Sequence, residues 1–256
     1  MKDILVLFAS KSDSDSYNQI TKILEKAKVD YEFKLASAHK TPDDVNDILR
    51  QDYKVIISGA GLAAALPGVV AAKSIRPIIG VPCKGNYQGL DALLSIVQMP
   101  PGIPVLSVGT NKADVAAHAA VKMLKASKKI VLIGDKHNKA FKKAEEILKE
   151  FSVNHSHSEQ IIDGAINIQF VYFDEPIEKK NQLVIYCPLL LDNDDKAEAS
   201  LNLLKHSDHG LWVGLNNGTN AALAAIEILN IDNSYEEKLT NYRREIGDKV
   251  REYNKK

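Results

Sequence analysis

The segment LASAHKTPDDV, residues 35–45, sets His39 and Lys40 side by side where an apolar run ends and Pro42 opens a helix. An imidazole exchanges a proton near neutral pH, and the neighbouring ammonium supplies a fixed positive charge. Pro42 followed by Asp43 and Asp44 is a helix start, so the pair sits on a strand-to-helix turn, where a merely solvated histidine would also be at home. A second loop, ASKSDS at 9–14, offers Ser10 and Ser12 as hydrogen-bond donors and Asp13 as an acceptor for sugar hydroxyls. Free N–H groups at such a helix start favour a phosphate, although Ser and Asp also cap helices without any ligand.

Two further loops could shape a pocket. In SGAGLAAALPG, 58–68, Gly59 and Gly61 let backbone come close to a ligand, and the small residues leave room for a planar group. GAGLAA partly fits the dinucleotide pattern G-x-G-x-x-A. It lies on the third strand, however, and GVPCKG stands where an acidic residue would be needed, which argues against a nicotinamide cofactor. GVPCKGNYQGLDALLSIVQMPPGIPV closes an apolar helix with two prolines and a glycine, a rigid turn. Cys83 within it has no assignable base and reads as a small buried or lining residue. His155 and His157, and likewise His206 and His209, lack cysteine or carboxylate spacing for a metal and read as solvated. LDNDDK lacks the glycine and glutamate of a calcium loop.

Short β-rich runs (ILVLFA, YEFKLA, KVIISGA, PIIGVP, PVLSVG) alternate with helical patterns over 15–28, 42–50, 64–74, 90–98 and 113–124. Apolar strands of four to six residues between helices predict an α/β fold with a parallel sheet covered on both faces. Ligands of such sheets bind at the carboxyl ends of the strands, where all four loops fall.

The pattern restarts after LKASKK. KIVLIGDKHNKAFKKAEEILKEFSV echoes the N-terminus, LVIYCP echoes PIIGVP, and LWVGLNNGTNAALAAIEIL lines Gly214 up with Gly109 and Ala222 with Ala117. The expected organisation is a degenerate duplication, 1–126 and 129–256, with almost no linker. The second copy lacks the small-residue loops, so the chemistry is expected in the first. A charged tail with tyrosines, Leu239 and Ile246 at helical spacing predicts a helix packed on a neighbouring half or subunit.

The 256 residues carry 33 basic and 33 acidic side chains. No basic excess exists to follow a nucleic acid. Two distant cysteines make no disulfide framework, which points to a reducing, cytoplasmic compartment. No run of about 18 apolar residues predicts a membrane span, and the N-terminal run reads as a first strand, too short for a signal peptide.

Taken together, ASKSD, SAHKTP, GAGLAAALPGVVAA and GLDALLSIVQMPPGIPV, in this order and spacing, resemble the PurE family over the first 125 or so residues. The second half resembles the same fold with its motifs eroded. The resemblance implies a three-layer α/β/α, flavodoxin-like domain in an octamer with sites between subunits. A fused pair would then form a homotetramer, a pseudo-octamer. It also implies synthesis of 4-carboxy-5-aminoimidazole ribonucleotide in purine biosynthesis, from aminoimidazole ribonucleotide substrates and CO2 or bicarbonate, with no cofactor or metal. By the same resemblance, Ser10, Ser12 and Asp13 hold phosphate and sugar, Ser37, Ala38 and His39 form the catalytic turn, and Gly59, Ala60, Gly61 and Leu66 close over the aminoimidazole.

His39 is the expected proton shuttle. Lys40 replaces the arginine usual in bacterial mutases, exchanging a bidentate phosphate contact for a point charge. Ala65 replaces a second histidine. Both look like the enzymes that take CO2 directly, whereas the proline-rich motif looks like the mutase branch, so the donor stays open. The competing expectations are a catalytically weakened nucleotide-binding or scaffold protein, and a carboxylase of another nucleotide.

Overall fold

The apolar runs become strands. The computed structural model describes residues 2–85, 87–191 and 193–255. In the first half these are β1 (Lys2–Phe8), β2 (Tyr31–Leu35), β3 (Tyr53–Ala60), β4 (Ile78–Pro82) and β5 (Leu106–Ser107). Between and after them lie α1 (Ser14–Lys26), α2 (Pro42–Ile48), α3 (Ala65–Lys73), α4 (Leu90–Val97) and α5 (Ala113–Met123). The helix ends fall within two or three residues of those expected. The strand expected over PVLSVG shrinks to two residues.

The second half supplies β6 (Ile130–Ile133), α6 (Lys139–Glu150), β7 (His155–Ser158), β8 (Ile166–Val171), β9 (Val184–Pro188), α7 (Lys196–His206), β10 (Leu211–Trp212), α8 (Gly218–Leu229) and α9 (Glu236–Tyr253). Among the described residues the strands join one ten-stranded sheet ordered β2-β1-β3-β4-β5-β10-β9-β8-β6-β7. Each half therefore shows the 2-1-3-4-5 order of doubly wound flavodoxin-like sheets.

Pairing within each half is parallel, as expected. The join is not: β10 meets β5 antiparallel through Trp212 and Ser107. The two parallel halves thus meet edge to edge through one antiparallel pairing. Joining like edges turns one half around, which reverses its strands, and it leaves neither β5 nor β10 as an exposed edge.

Buried side chains from α1, α5, α6 and α8 form one continuous core with β1, β3, β6 and β8. The opposite face is covered by α2, α3 and α4 over the first half. There α4 also packs with α7 over Tyr186 and Trp212.

Backbone details recur between the halves. After α1, Lys28 takes φ 55° and the Val29 N–H bonds to the Leu24 carbonyl; after α6, Ser152 takes φ 58° and Val153 bonds to Leu148. Past β5, the Asn111 N–H reaches the Pro82 carbonyl and its Oδ1 accepts from the Lys84 N–H at 2.8 Å. Past β10, Asn216 does the same with Pro188 and with the Leu190 N–H at 3.0 Å.

The tail helix α9 contacts both halves. Arg243 donates to the Ala71 and Ser74 carbonyls and to Glu227, while Lys238 donates to the Phe151 carbonyl. Gly102, at φ 101°, takes a backbone conformation that side chains rarely adopt, and it lies beneath the tip of Ile246. Asn220 of α8 fastens the PPG turn by accepting from the Gly102 N–H at 2.8 Å and donating to the Pro100 carbonyl at 3.0 Å.

Candidate active site

At the carboxyl ends of β1, β2, β3 and β4 the loops enclose a cavity of about 510 Å³. Its lining includes Ser10, Ser12, Asp13, Ser37, Ala38, His39, Lys40, Ala60, Gly61 and Leu66. Ten of the eleven residues singled out from sequence therefore converge, from segments separated by up to half of the first repeat, because adjacent parallel strands end side by side.

The eleventh, Gly59, does not line the cavity. A Cβ there would lie 2.1 Å from the Phe8 ring, on the sheet face away from the cavity. A packing reason for glycine therefore stands here as well: the ring of β1 occupies the space that a side chain on β3 would need. Gly61 does line the cavity, and only ordinary contact with Cys83 would meet a Cβ there.

The first loop is preorganised. The Ser10 and Ser12 hydroxyls share a hydrogen bond of 2.8 Å, and Ser10 Oγ accepts from the Ser12 N–H. Asp13 Oδ1 accepts from Ser12 at 3.4 Å, while Oδ2 is buried without a hydrogen-bond partner. Burial pushes the Asp13 carboxyl above its usual range, more than the hydrogen bond from Ser12 lowers it. A buried acceptor at a cavity wall is suited to donors brought by a ligand, such as sugar hydroxyls. Burial drives the Cys83 thiol up to about 12, with the Asp13 charge adding to it, so Cys83 is no nucleophile.

The histidine turn is braced by its own hydroxyls. The Ser37 N–H donates to Thr41 Oγ1 at 3.0 Å, the Lys40 N–H to Ser37 Oγ at 3.3 Å, and the Thr41 N–H to the Ser37 carbonyl at 2.9 Å. His39 is exposed and, among the described residues, makes no side-chain hydrogen bond. Its imidazole is held by backbone and left chemically free.

Sequence reasoning missed Leu62, Ala63, Lys84 and Gly85, which also line the cavity. Lys84 adds a second ammonium to that of Lys40. The bond from its N–H to Asn111, past β5, helps hold its backbone there, and no local pattern announces that contact. Ala65, where a second histidine was looked for, is likewise in the wall.

The corresponding corner of the second half is different. Tyr172, Phe173, Leu191, Asp194, Asp195 and Glu198 line a cavity of about 180 Å³ that also includes Asp174. Four carboxylates and no cation among its described lining residues repel a phosphate. The LDNDDK segment there is used for capping, with Asp195 Oδ1 accepting from the Ala197 and Glu198 N–H groups.

Residues 3–145, more than half of the chain, match the AIRC family, AIR carboxylase. The chain belongs to that family. It is 47% identical over 129 residues to the N5-carboxyaminoimidazole ribonucleotide mutase of Pyrococcus abyssi, covering 48% of this chain and 74% of that protein. The mutase of Methanocaldococcus jannaschii is 40% identical over 153 residues, 57% of this chain and 98% of the relative. Phosphoribosylaminoimidazole carboxylase of Candida glabrata is 37% identical over 181 residues, 68% of this chain and 29% of the much longer relative. Mutases and a carboxylase thus both stand among the AIR carboxylase relatives, and no helix of the described residues is long and apolar enough to cross a membrane.

Proposed function

We propose that this chain forms 4-carboxy-5-aminoimidazole ribonucleotide in cytoplasmic purine biosynthesis, at the first-half cavity alone. The carrying observation is an exposed, unpartnered His39 on a braced turn, facing a cavity with an orphaned Asp13 oxygen and two lysines. Ser10, Ser12 and Asp13 take the ribose and its phosphate, with Lys40 and Lys84 as point charges for the anion. Ala38, Ala60, Gly61 and Leu66 leave a flat apolar slot for the five-membered ring.

In the mutase direction, His39 gives its proton to the carbamate nitrogen as the N–CO2 bond breaks and CO2 is released beside the ring. Ring carbon 4 then attacks CO2, and the now neutral imidazole removes the proton from that carbon, restoring the aromatic ring. One imidazole within reach of both atoms serves both transfers, and holding CO2 beside the ring keeps it near the reacting carbon. Direct carboxylation uses the last two steps only. Ala65 in the wall leaves space beside the slot and favours a role for free CO2 as donor.

The two halves read as fused repeats, 1–126 and 129–256, supported by their shared strand order and recurring caps. The eroded copy is structural, and four chains would assemble eight repeats with four working sites. Assay of aminoimidazole ribonucleotide plus bicarbonate against the N5-carboxylated nucleotide separates the donors. His39→Asn should cut turnover by about 10²–10⁴-fold with the oligomer intact. Nucleotide binding without carboxylation from either donor would leave a binding protein instead.

A further inference from the structure

The edge strand β7 carries His155 and His157 on one face, two residues apart, and α6 lays Glu145 against them. The ligand atoms of all three lie within 4.8 Å of one another. His157 Nε2 is 2.8 Å and His155 Nε2 3.6 Å from Glu145 Oε1. The expectation of solvated histidines is corrected for His155, whose side chain is only 11% exposed, while His157 is exposed. The missing carboxylate lay in the preceding helix, beyond the reach of spacing rules.

We propose that Glu145, His155 and His157 bind a divalent transition metal of the zinc type. Two imidazoles and a carboxylate are a known zinc ligand set, with the fourth position left to water. Tetrahedral bonds of about 2.1 Å put ligand atoms about 3.4 Å apart. The His155 contact already has that spacing, and His157 needs to open by roughly half an ångström.

His155 Nδ1 lies 3.1 Å from the Val153 carbonyl. A carbonyl only accepts, so Nδ1 carries the hydrogen and a neutral ring turns the Nε2 lone pair toward Glu145. That backbone support is what orients a ligating histidine. A lone pair facing a carboxylate calls for a cation between them, which a proton or a metal can supply.

The fold does not demand these residues. Matching the caps of α1 and α6 puts Glu145 where the first half has Thr21, and His155 and His157 where it has Tyr31 and Phe33. There an aromatic pair, Tyr17 and Phe33, fills the space, as Phe141 and His157 do here. Lys149 Nζ, 3.7 Å from the other Glu145 oxygen, is the opposing charge, and at 66% exposure it can swing away.

The test is titration of the chelator-treated full-length protein with Co²⁺, followed by its visible ligand-field bands, and then displacement by Zn²⁺. One saturable equivalent with an intense four-coordinate spectrum is expected, together with a rise in melting temperature on adding Zn²⁺. The His155→Gln/His157→Gln protein and, separately, Glu145→Gln should lose both signals, while His118→Gln, on α5, should keep them. Circular dichroism establishes that each variant is folded, and the glutamate variant leaves both rings in place. Binding that does not saturate, or that survives in both sets of variants, overturns the proposal.

Discussion

Replacing Arg243 by methionine removes the guanidinium that faces Glu227, a side chain only 1% exposed on α8. Burial pushes the Glu227 carboxyl from its usual 4.5 up to about 7, although Arg243, 2.8 Å away, pulls it down. The native state therefore holds this proton more tightly than the unfolded chain. Stability falls as pH climbs from about 4.5 and levels off above about 7. At pH 8 that loss is about 3 kcal/mol in the parent protein, from the shift at 1.36 kcal/mol per unit.

Without the guanidinium that pulls it down, the carboxyl holds its proton to still higher pH, and the loss at pH 8 grows. At about pH 5.5 both proteins hold Glu227 neutral, and this contribution cancels. The variant also loses its bonds to the Ala71 and Ser74 carbonyls at either pH, about 1 kcal/mol each. Urea unfolding should therefore show a deficit of about 1–2 kcal/mol at pH 5.5 that widens by a further 1–2 kcal/mol at pH 8. Adding Glu227→Gln should abolish the widening. A deficit equal at both pH values would refute the claim that a buried carboxylate is what Arg243 neutralises.

Gly59→Ala drives a Cβ to 2.1 Å from the Phe8 ring; unfolding should show a loss of about 1–3 kcal/mol, and a loss within error of zero would mean the ring has room to move. Burial raises the Asp13 carboxyl, so its charge is lost on acidification sooner than for an ordinary aspartate: KM for the nucleotide should rise as pH falls, and Asp13→Asn should raise KM and flatten that dependence. Cys83, held up to about 12, and Cys187, raised further by complete burial, should resist a thiol reagent in the native protein and release two equivalents on unfolding. Light scattering should give the mass of four chains, and a monomer would remove the assembly proposed from the fused pair.

The strands and helices of the first half were legible because their apolar residues recur with the period of each element, and Pro42 and the Ser-Asp loops mark where helices start. The converging loops were legible too, since parallel strands must end on one edge of the sheet. The close packing at Gly59 was not legible, because a glycine beside a site looks the same whether or not a neighbouring ring fills its Cβ position, and only the place of Phe8 on β1 shows that one does.

Local sequence thus determined the alternating α/β pattern, the charge balance and the chemical types gathered near His39. Tertiary structure alone decided the antiparallel meeting of β5 and β10, the arrival of Lys84 in the cavity wall, the pairing of Arg243 with Glu227, and the convergence of Glu145 on His155 and His157. Each of these depends on segments far apart in the chain or on different elements, brought together by burial of apolar faces. That force is set by area and shape, and it leaves no periodic mark on the residues that come to touch.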